Sequence, residues 1–266
     1  MPRIDPTARV ADGARIADEV EIGPYCIVGP DVELRAGVRL HAHVNVAGIT
    51  VVGERTVVYP FASLGTAPQS TAYRGEPTRL EIGADCTIRE SVTMNTGTKG
   101  GGGVTRVGDR GLFMAYSHVG HDCQVGNDVI FANSATLGGH CVIGDHVFIG
   151  GLAAVHQFGR IGAHAMIAGV TGLRSDVIPF GVAAGVFARL RGVNTLGMRR
   201  RNFDSSTIRA VRSVYRQLFL GKGTMAERIA AAEAQWGDVP AVAQIIAFIR
   251  SGRDRPLCLP GGASGT

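Results

Sequence analysis

The chain has 266 residues, of which 38 are glycine and 6% are aromatic, and its net charge is +5. The charge permits an acidic partner, but no basic run resembles a nucleic-acid-binding arm, so we expect no nucleic-acid partner. Because the N-terminus lacks the apolar core of a signal peptide and no apolar run reaches the ~20 residues of a membrane span, we predict a cytoplasmic protein without an integral membrane segment.

Apolar residues recur at every sixth position along most of the chain. One series runs from Ile4 to Leu64, and another runs from Val107 to Leu173. This period suits neither an amphipathic helix nor an alternating strand, and it is typical of a hexapeptide β-helix, in which each hexad supplies one short strand and one corner. Three hexads form a triangular coil, so residues about 18 apart lie on neighbouring coils, ~4.8 Å from each other. We predict an all-β parallel β-helix over residues 1–186.

Two segments interrupt the hexads and are predicted to leave the β-helix as excursion loops. Residues 65–81 contain two prolines and two glycines, and residues 95–106 contain a run of four glycines. A glycine run is typical of a flexible loop, but long loops on a rigid solenoid often carry function. Whether residues 95–106 cover a site stays open at this point.

A helical pattern replaces the hexads in the C-terminal part of the chain. We predict a small α-helical domain over residues 187–252, followed by a Gly- and Pro-rich tail, 253–266, that is partly disordered. The predicted helices are a short one within residues 192–203, one capped by Asp204 or Ser205 that ends near Leu220, one that begins with a capping box of Thr224 and Glu227, and one from about Pro240 to Arg250.

The coil register gathers a set of chemically useful residues on one edge of the prism. His121 is predicted to lie next to Gly139, and Asp122 next to His140, while His156 lies one coil further on. A histidine beside a carboxylate is a good general base, and the Gly139 N–H could stabilise an oxyanion. Since no Ser or Cys is placed as a nucleophile, the set favours direct acyl transfer from a thioester to a hydroxyl or an amine.

Other interpretations of these residues remain open. The histidines could be solvent-exposed corner residues, and His118, His121 and His140 could ligate zinc, as in β-helix carbonic anhydrases. Residues 199–201 are three arginines that could grip a diphosphate or form a solvated cluster at a helix end. Cys123 and Cys141 should stack on adjacent coils, where we favour buried thiols of a reducing compartment over a disulfide.

Several segments resemble one known family, the UDP-N-acetylglucosamine O-acyltransferases that catalyse the first step of lipid A biosynthesis. The segments are YRGEPTRLEIG, IRESVTMNTGT, HVGHDCQVGN, ATLGGHCVIGD, AAVHQFGRIGAH and GVNTLGMRRRNF, and the resemblance covers nearly the whole chain. It implies a homotrimer of left-handed β-helices with active sites between subunits. It also implies transfer of a 3-hydroxyacyl chain from acyl carrier protein to the 3-position of the UDP-sugar, and neither a metal nor a cofactor is expected.

The resemblance also assigns roles to individual residues. It implies that His121 is the general base, that Asp122 orients it, and that the Gly139 amide stabilises the oxyanion. Basic residues near the site would meet the acidic carrier protein, and a glycine at 169 implies a longer acyl chain than a bulky residue would allow. The implied substrate-binding residues are Gln69, His118, His140, His156, Gln157, Gly169, Asn194, Arg200 and Arg201.

Four positions depart from the family pattern. Ser70 and Ala72 stand where family members commonly carry Asp and Lys, Asn95 replaces a His, and Leu196 replaces a Glu. Some relatives acylate the 3-amino analogue of the sugar nucleotide, so amide formation is the alternative to ester formation. A metal-dependent carbonic anhydrase is a more remote alternative.

Overall fold

The computed structural model describes residues 1–252 and 255–261. Most strands are two residues long and are followed by a turn, as the hexad pattern predicts. The strands of the described residues are, in chain order, β1 (Arg3–Ile4), β2 (Arg9–Val10), β3 (Arg15–Ile16), β4 (Glu21–Ile22), β5 (Ile27–Val28), β6 (Val32–Leu34), β7 (Arg39–Leu40), β8 (Asn45–Val46), β9 (Ile49–Val52), β10 (Val57–Val58), β11 (Ser63–Thr66), β12 (Arg79–Ile82), β13 (Thr87–Ile88), β14 (Thr93–Asn95), β15 (Val104–Val107), β16 (Leu112–Phe113), β17 (His118–Val119), β18 (Gln124–Val125), β19 (Ile130–Phe131), β20 (Thr136–Leu137), β21 (Val142–Ile143), β22 (Phe148–Ile149), β23 (Ala154–Val155), β24 (Arg160–Ile161), β25 (Met166–Ile167), β26 (Gly172–Leu173), β27 (Gly181–Ala184) and β28 (Arg189–Val193).

These strands form the three faces of a left-handed parallel β-helix. Every third strand joins the same sheet, so that β17 pairs with β14 and β20, and β18 pairs with β15 and β21. Val125 lies opposite Ile143, which is the predicted coil of 18 residues, whereas Val58 lies opposite Ile88 because a loop intervenes. The predicted fold class, a β-helix with a small helical C-terminal part, is confirmed.

The predicted hexad positions form the core. Every apolar residue of the series from Val107 to Leu173 is at most 4% exposed. Ile4, in contrast, is 45% exposed, because no coil lies beneath the first one. The stacked aliphatic residues therefore make one continuous core, in which each coil buries the side chains of its neighbours.

Both excursion loops are shorter than predicted. The first spans residues 67–78 rather than 65–81, and the second spans 96–103 rather than 95–106, with a short 3₁₀ turn at Lys99–Gly101. The chain stays in strand conformation at the loop ends because its backbone pairs with the adjacent coils. Arg79, for example, lies opposite both Ile49 and Val104.

The helical part begins later than the predicted residue 187. Residues 189–193 form β28, which pairs antiparallel with β27 and buries Leu190, so the backbone groups of this segment are satisfied by the sheet. Asp204 and the Thr224–Glu227 capping box begin two of the helices as predicted. The helices are α1 (Thr195–Arg200), α2 (Ser205–Leu220), α3 (Met225–Trp236) and α4 (Pro240–Arg250).

Residues 255–261 of the predicted tail run along the end of the β-helix. Arg255 forms an ion pair with the buried carboxylate of Asp176, at 3.3 Å, and the Cys258 N–H donates to the Asp176 carbonyl. Arg160 pairs with the same carboxylate at 3.4 Å and also donates to the Phe248 carbonyl of α4. Asp176 thus links the last coil, the tail and the helices. The predicted disorder of residues 253–254 and 262–266 lies outside the described residues.

All five cysteines are buried free thiols, so Cys123 and Cys141 are unpaired as expected. The Sγ atoms of these two residues face the carbonyls of Gly138 and His156, at 3.2 and 3.4 Å. Among the described residues, no helix combines the length and the apolar character that crossing a membrane requires.

His164 should make the fold sensitive to acid. Its ring stacks between His146 and Phe180, its buried Nδ1 has no hydrogen-bond partner among the described residues, and burial lowers its pKa to about 4. Because this pKa is lower than the ~6.5 of a histidine in the unfolded chain, the free energy of unfolding keeps its full value above pH ~6.5. It decreases as the pH falls from there toward 4. We expect His164→Phe, which keeps the stack, to reduce this acid loss by ~1 kcal/mol after solvent screening. The measurement is the thermal midpoint of both proteins from pH 7 to pH 4, and parallel curves would contradict the prediction.

Candidate active site

His121 and Asp122 lie at the corner between β17 and β18. His121 Nδ1 is 2.7 Å from Asp122 Oδ2, and the Asp122 side chain is fully buried. Because an ionised carboxylate only accepts hydrogen bonds, Nδ1 carries the proton and donates a hydrogen bond to Asp122. The other ring nitrogen, Nε2, is then left with a free lone pair, as a general base requires.

Gly139 lies directly against the imidazole of His121. A Cβ at this position would be 2.6 Å from Nε2, so a side chain at 139 would displace the ring. The Gly139 N–H makes no hydrogen bond within the described residues. A donor beside the basic nitrogen is available for a developing negative charge.

Two further histidines complete the cluster. His140 Nε2 is 3.7 Å from Asp122 Oδ2, and its ring meets His121 edge-on and stacks on Phe158. Burial lowers the pKa of His140 although Asp122 opposes this, and burial, aided by His121, also lowers the pKa of His118. Both rings are therefore neutral near pH 7, and His118 Nδ1 is 2.7 Å from Thr93 Oγ1.

The carboxylate of Asp122 is held from the second loop, a contact that the sequence interpretation missed. The Thr98 N–H donates to Oδ1 at 2.8 Å, and the Thr98 hydroxyl donates to Oδ2 at 2.7 Å. The coil register gives this contact no fixed place. Thr93 lies opposite His118 and Arg106 lies opposite Gln124, so counting from the two sides of the loop puts either Gly97 or Val104 beside Asp122.

An open cavity of about 1000 Å³ adjoins the cluster, with walls supplied by both loops and by the corner that carries His121. Besides the two histidines, the lining contains one arginine and one lysine. The Arg74 guanidinium donates to the carbonyls of Thr71 and Tyr73, whereas Lys99 is exposed and faces no acceptor within hydrogen-bond distance among the described residues. The lining residues are Ser70, Ala72, Arg74, Gly75, Glu76, Thr98, Lys99, Gly100, His121, His140 and Phe158.

The other predicted site residues lie at different distances from His121. His156 and Gln157 are exposed one coil beyond Gly139, on the same corner, and Gln69 is exposed on the first loop, next to Ser70. Gly169 lies on the preceding corner of the prism, where Val170 donates its N–H to the Gly151 carbonyl.

A single chain does not bring Asn194, Arg200 or Arg201 to His121. Asn194 caps α1 and donates to the His164 carbonyl, and Arg201 donates to the His146 carbonyl. These carbonyls belong to the corner one hexad beyond His121. Burial lowers the pKa of Arg201, while Arg200 is exposed to solvent.

The departures from the family pattern are not equivalent. Ser70 and Ala72 line the cavity, so they are placed to affect what it binds. Asn95 is buried, and its Nδ2 donates to Thr66 Oγ1 and to the Ala67 carbonyl, which ties it to the start of the first loop. Leu196 is 57% exposed.

The residues that could approach a metal differ from the predicted zinc set. The ligand-capable atoms of His121, Asp122 and His140 lie within 4.8 Å of one another. His118 Nδ1 instead faces Thr93, and the carboxylate oxygens of Asp122 already accept from Thr98 and His121. The donor set is committed to hydrogen bonds and does not favour a zinc site.

The fold and the site define a β-helix acyltransferase built from hexapeptide repeats. A family model described as "Udp N-acetylglucosamine O-acyltransferase; Domain 2" matches residues 176–258. Proteins named acyl-[acyl-carrier-protein]–UDP-N-acetylglucosamine O-acyltransferase from Azorhizobium caulinodans and Rhizobium etli are 62% and 50% identical, each over 97% of this chain and 95% of their own length. The structure of LpxA from Acinetobacter baumannii superposes with a TM-score of 0.93 at 37% identity, over 96% of this chain and 99% of that one. The chain belongs to the UDP-N-acetylglucosamine O-acyltransferase family.

Proposed function

We propose that this protein transfers a 3-hydroxyacyl chain from acyl carrier protein to the 3-hydroxyl of UDP-N-acetylglucosamine, the first step of lipid A biosynthesis. The observation that carries the chemistry is the His121–Asp122 pair, whose free Nε2 lies beside the Gly139 N–H at an open cavity. The free state of all five cysteines supports the predicted cytoplasmic location.

The proposed reaction is a direct transfer. His121 Nε2 takes the proton of the sugar hydroxyl while its oxygen attacks the thioester carbonyl, and the Asp122 carboxylate stabilises the imidazolium through Nδ1–H. The Gly139 N–H donates to the oxyanion. As the carbonyl re-forms, the C–S bond breaks and the imidazolium proton passes to the departing thiolate. The products are the sugar ester and the free thiol of the carrier.

The remaining residues are proposed to bind substrates around this centre. We place His140 and His118, both neutral, together with Gln69, His156 and Gln157, beside the sugar and the acyl donor. Ser70 and Ala72 line the same cavity, and this placement keeps amide formation with a 3-amino sugar as the second candidate.

A homotrimer would complete the site. The corner that carries Gly169 exposes five large apolar side chains, interspersed with His43, Ser91 and Ser134, and this exposed apolar surface supports a contact between copies. A neighbouring subunit could then bring Asn194, Arg200 and Arg201 to the cavity, where their donors would hold the diphosphate. The exposed apolar residues of this corner are Tyr25, Phe61, Tyr116, Leu152 and Val170.

The experiment that tests the proposed function is a paired assay with purified protein. A set of 3-hydroxyacyl carrier proteins is supplied with either UDP-N-acetylglucosamine or its 3-amino analogue, and products are identified by mass. We expect the ester of the hydroxyl sugar. A strong preference for the amine would make residues 70 and 72 determinants of the acceptor, and the absence of product from both sugars would reject the function.

Helix α2 offers a docking surface for the acidic carrier protein. Arg209, Arg212 and Arg216 are exposed along it and form no ion pair among the described residues. We expect Arg212→Glu with Arg216→Glu to raise KM for the acyl carrier protein ~10-fold or more at low salt. KM for an acyl-pantetheine donor, which lacks the protein, should stay unchanged. The matched control is Arg9→Glu, which reverses the charge of an exposed residue on the first coil. An equal increase in KM for the acyl carrier protein in this control would contradict the assignment.

A further inference from the structure

The second loop, residues 96–103, packs directly on the carboxylate of Asp122. A Cβ on Gly97 would be 2.8 Å from Oδ1, and a Cβ on Gly101 would overlap the carboxylate itself. The backbone of the loop therefore reaches Asp122 at a distance that only glycine allows. This close approach requires glycine at positions 97 and 101, and the loop is part of the wall around the site.

Thr98 is the residue of this loop that bonds to Asp122. Its N–H and its hydroxyl donate to different oxygens, at 2.8 and 2.7 Å. The same hydroxyl accepts the Gly101 N–H at 3.2 Å, which leaves its own proton directed to Asp122. With the Nδ1–H of His121 on Oδ2, the carboxylate is held from both sides.

We propose that Thr98 is a positioning residue for acyl transfer, acting on the base His121 through the carboxylate of Asp122. This inference rests on the proposed function. Two donors fix the plane of the carboxylate and hence the tautomer and the direction of the imidazole. They also disperse the negative charge that faces His121.

Removal of the hydroxyl has a consequence that a purely structural role would not have. Without the Thr98 O–H, more negative charge on Oδ2 faces the imidazole, so the imidazolium form becomes more favourable. Because the base must be neutral, the acid limb of the kcat/KM profile should move to higher pH.

The test compares Thr98→Val with Thr98→Ser in the full-length protein. We expect Thr98→Val to lower kcat ~10-fold or more and to change KM for the UDP-sugar less than ~2-fold. The acid limb of its kcat/KM profile should lie at higher pH than that of the parent protein. Thr98→Ser should keep kcat within ~3-fold of the parent protein, with the acid limb of the profile at the same pH as in the parent. The control is Thr96→Val, which removes a hydroxyl of the same loop that bonds Thr78 and not Asp122, and its limb should not move.

Three outcomes would overturn the inference: a Thr98→Val protein with unchanged kcat and limb, a Thr98→Ser protein as impaired as Thr98→Val, or a Thr96→Val protein that reproduces the shift. Thr98→Ala provides the same comparison if valine prevents folding. In an Asp122→Asn background, Thr98→Val should add no further loss of kcat, since its target is already altered. Failure of the proposed function is distinguishable, because the parent protein would then form no acylated sugar.

Discussion

Replacement of His121 by alanine should lower turnover at least ~10²-fold. The imidazole is the group that removes the proton of the acceptor, and the Nδ1–H that bonds Asp122 is lost with it. The core should not change, since the His121 side chain lies outside the stacked aliphatic residues. The measurement is kcat with saturating acyl carrier protein and UDP-sugar, together with the circular dichroism spectrum and the oligomeric state.

The matched control for this prediction is His41→Ala. His41 is an exposed histidine of an early coil whose ring lies tilted against Tyr59, and it forms no ion pair with a carboxylate among the described residues. Its removal should leave kcat within ~2-fold of the parent value. Retained turnover in the His121→Ala protein would remove His121 from the role of base.

Replacement of Asp176 by asparagine should cost ~3–5 kcal/mol of stability. The carboxylate is 1% exposed and compensates the guanidinium groups of Arg160 and Arg255, whose side chains are 19% and 25% exposed. Removing the buried charge leaves two cations without their partner at the junction of the last coil, the tail and α4. The expected result is a lower denaturant midpoint, measured at constant protein concentration because subunit contacts add to stability.

The exposed pair of Glu233 and Arg250 is the control for this prediction. It has good geometry, at 2.6 Å, but its side chains are 45% and 54% exposed. Glu233→Gln should therefore cost less than ~1 kcal/mol. Equal losses in the two variants would mean that the burial of Asp176 does not matter.

The six-residue period alone predicted the β-helix and the central contacts of the site. A coil repeats with little variation, so adding 18 residues was enough to place Gly139 beside His121 and His140 beside Asp122. The sequence also predicted the capping box of Thr224 and Glu227, because its hydrogen bonds join residues that are three positions apart. In each case the contact depends on a local or strictly periodic geometry.

Where the period is interrupted, only the folded chain reveals the contacts. The path of residues 96–103, and with it the pair of hydrogen bonds from Thr98 to Asp122, depends on how a non-repeating loop packs on the coils. The antiparallel strand β28 and the remote position of Arg201 likewise arise from packing of the C-terminal part on the last coils. Such contacts join segments with no fixed spacing, so their energies are settled by tertiary packing and not by any pattern along the chain.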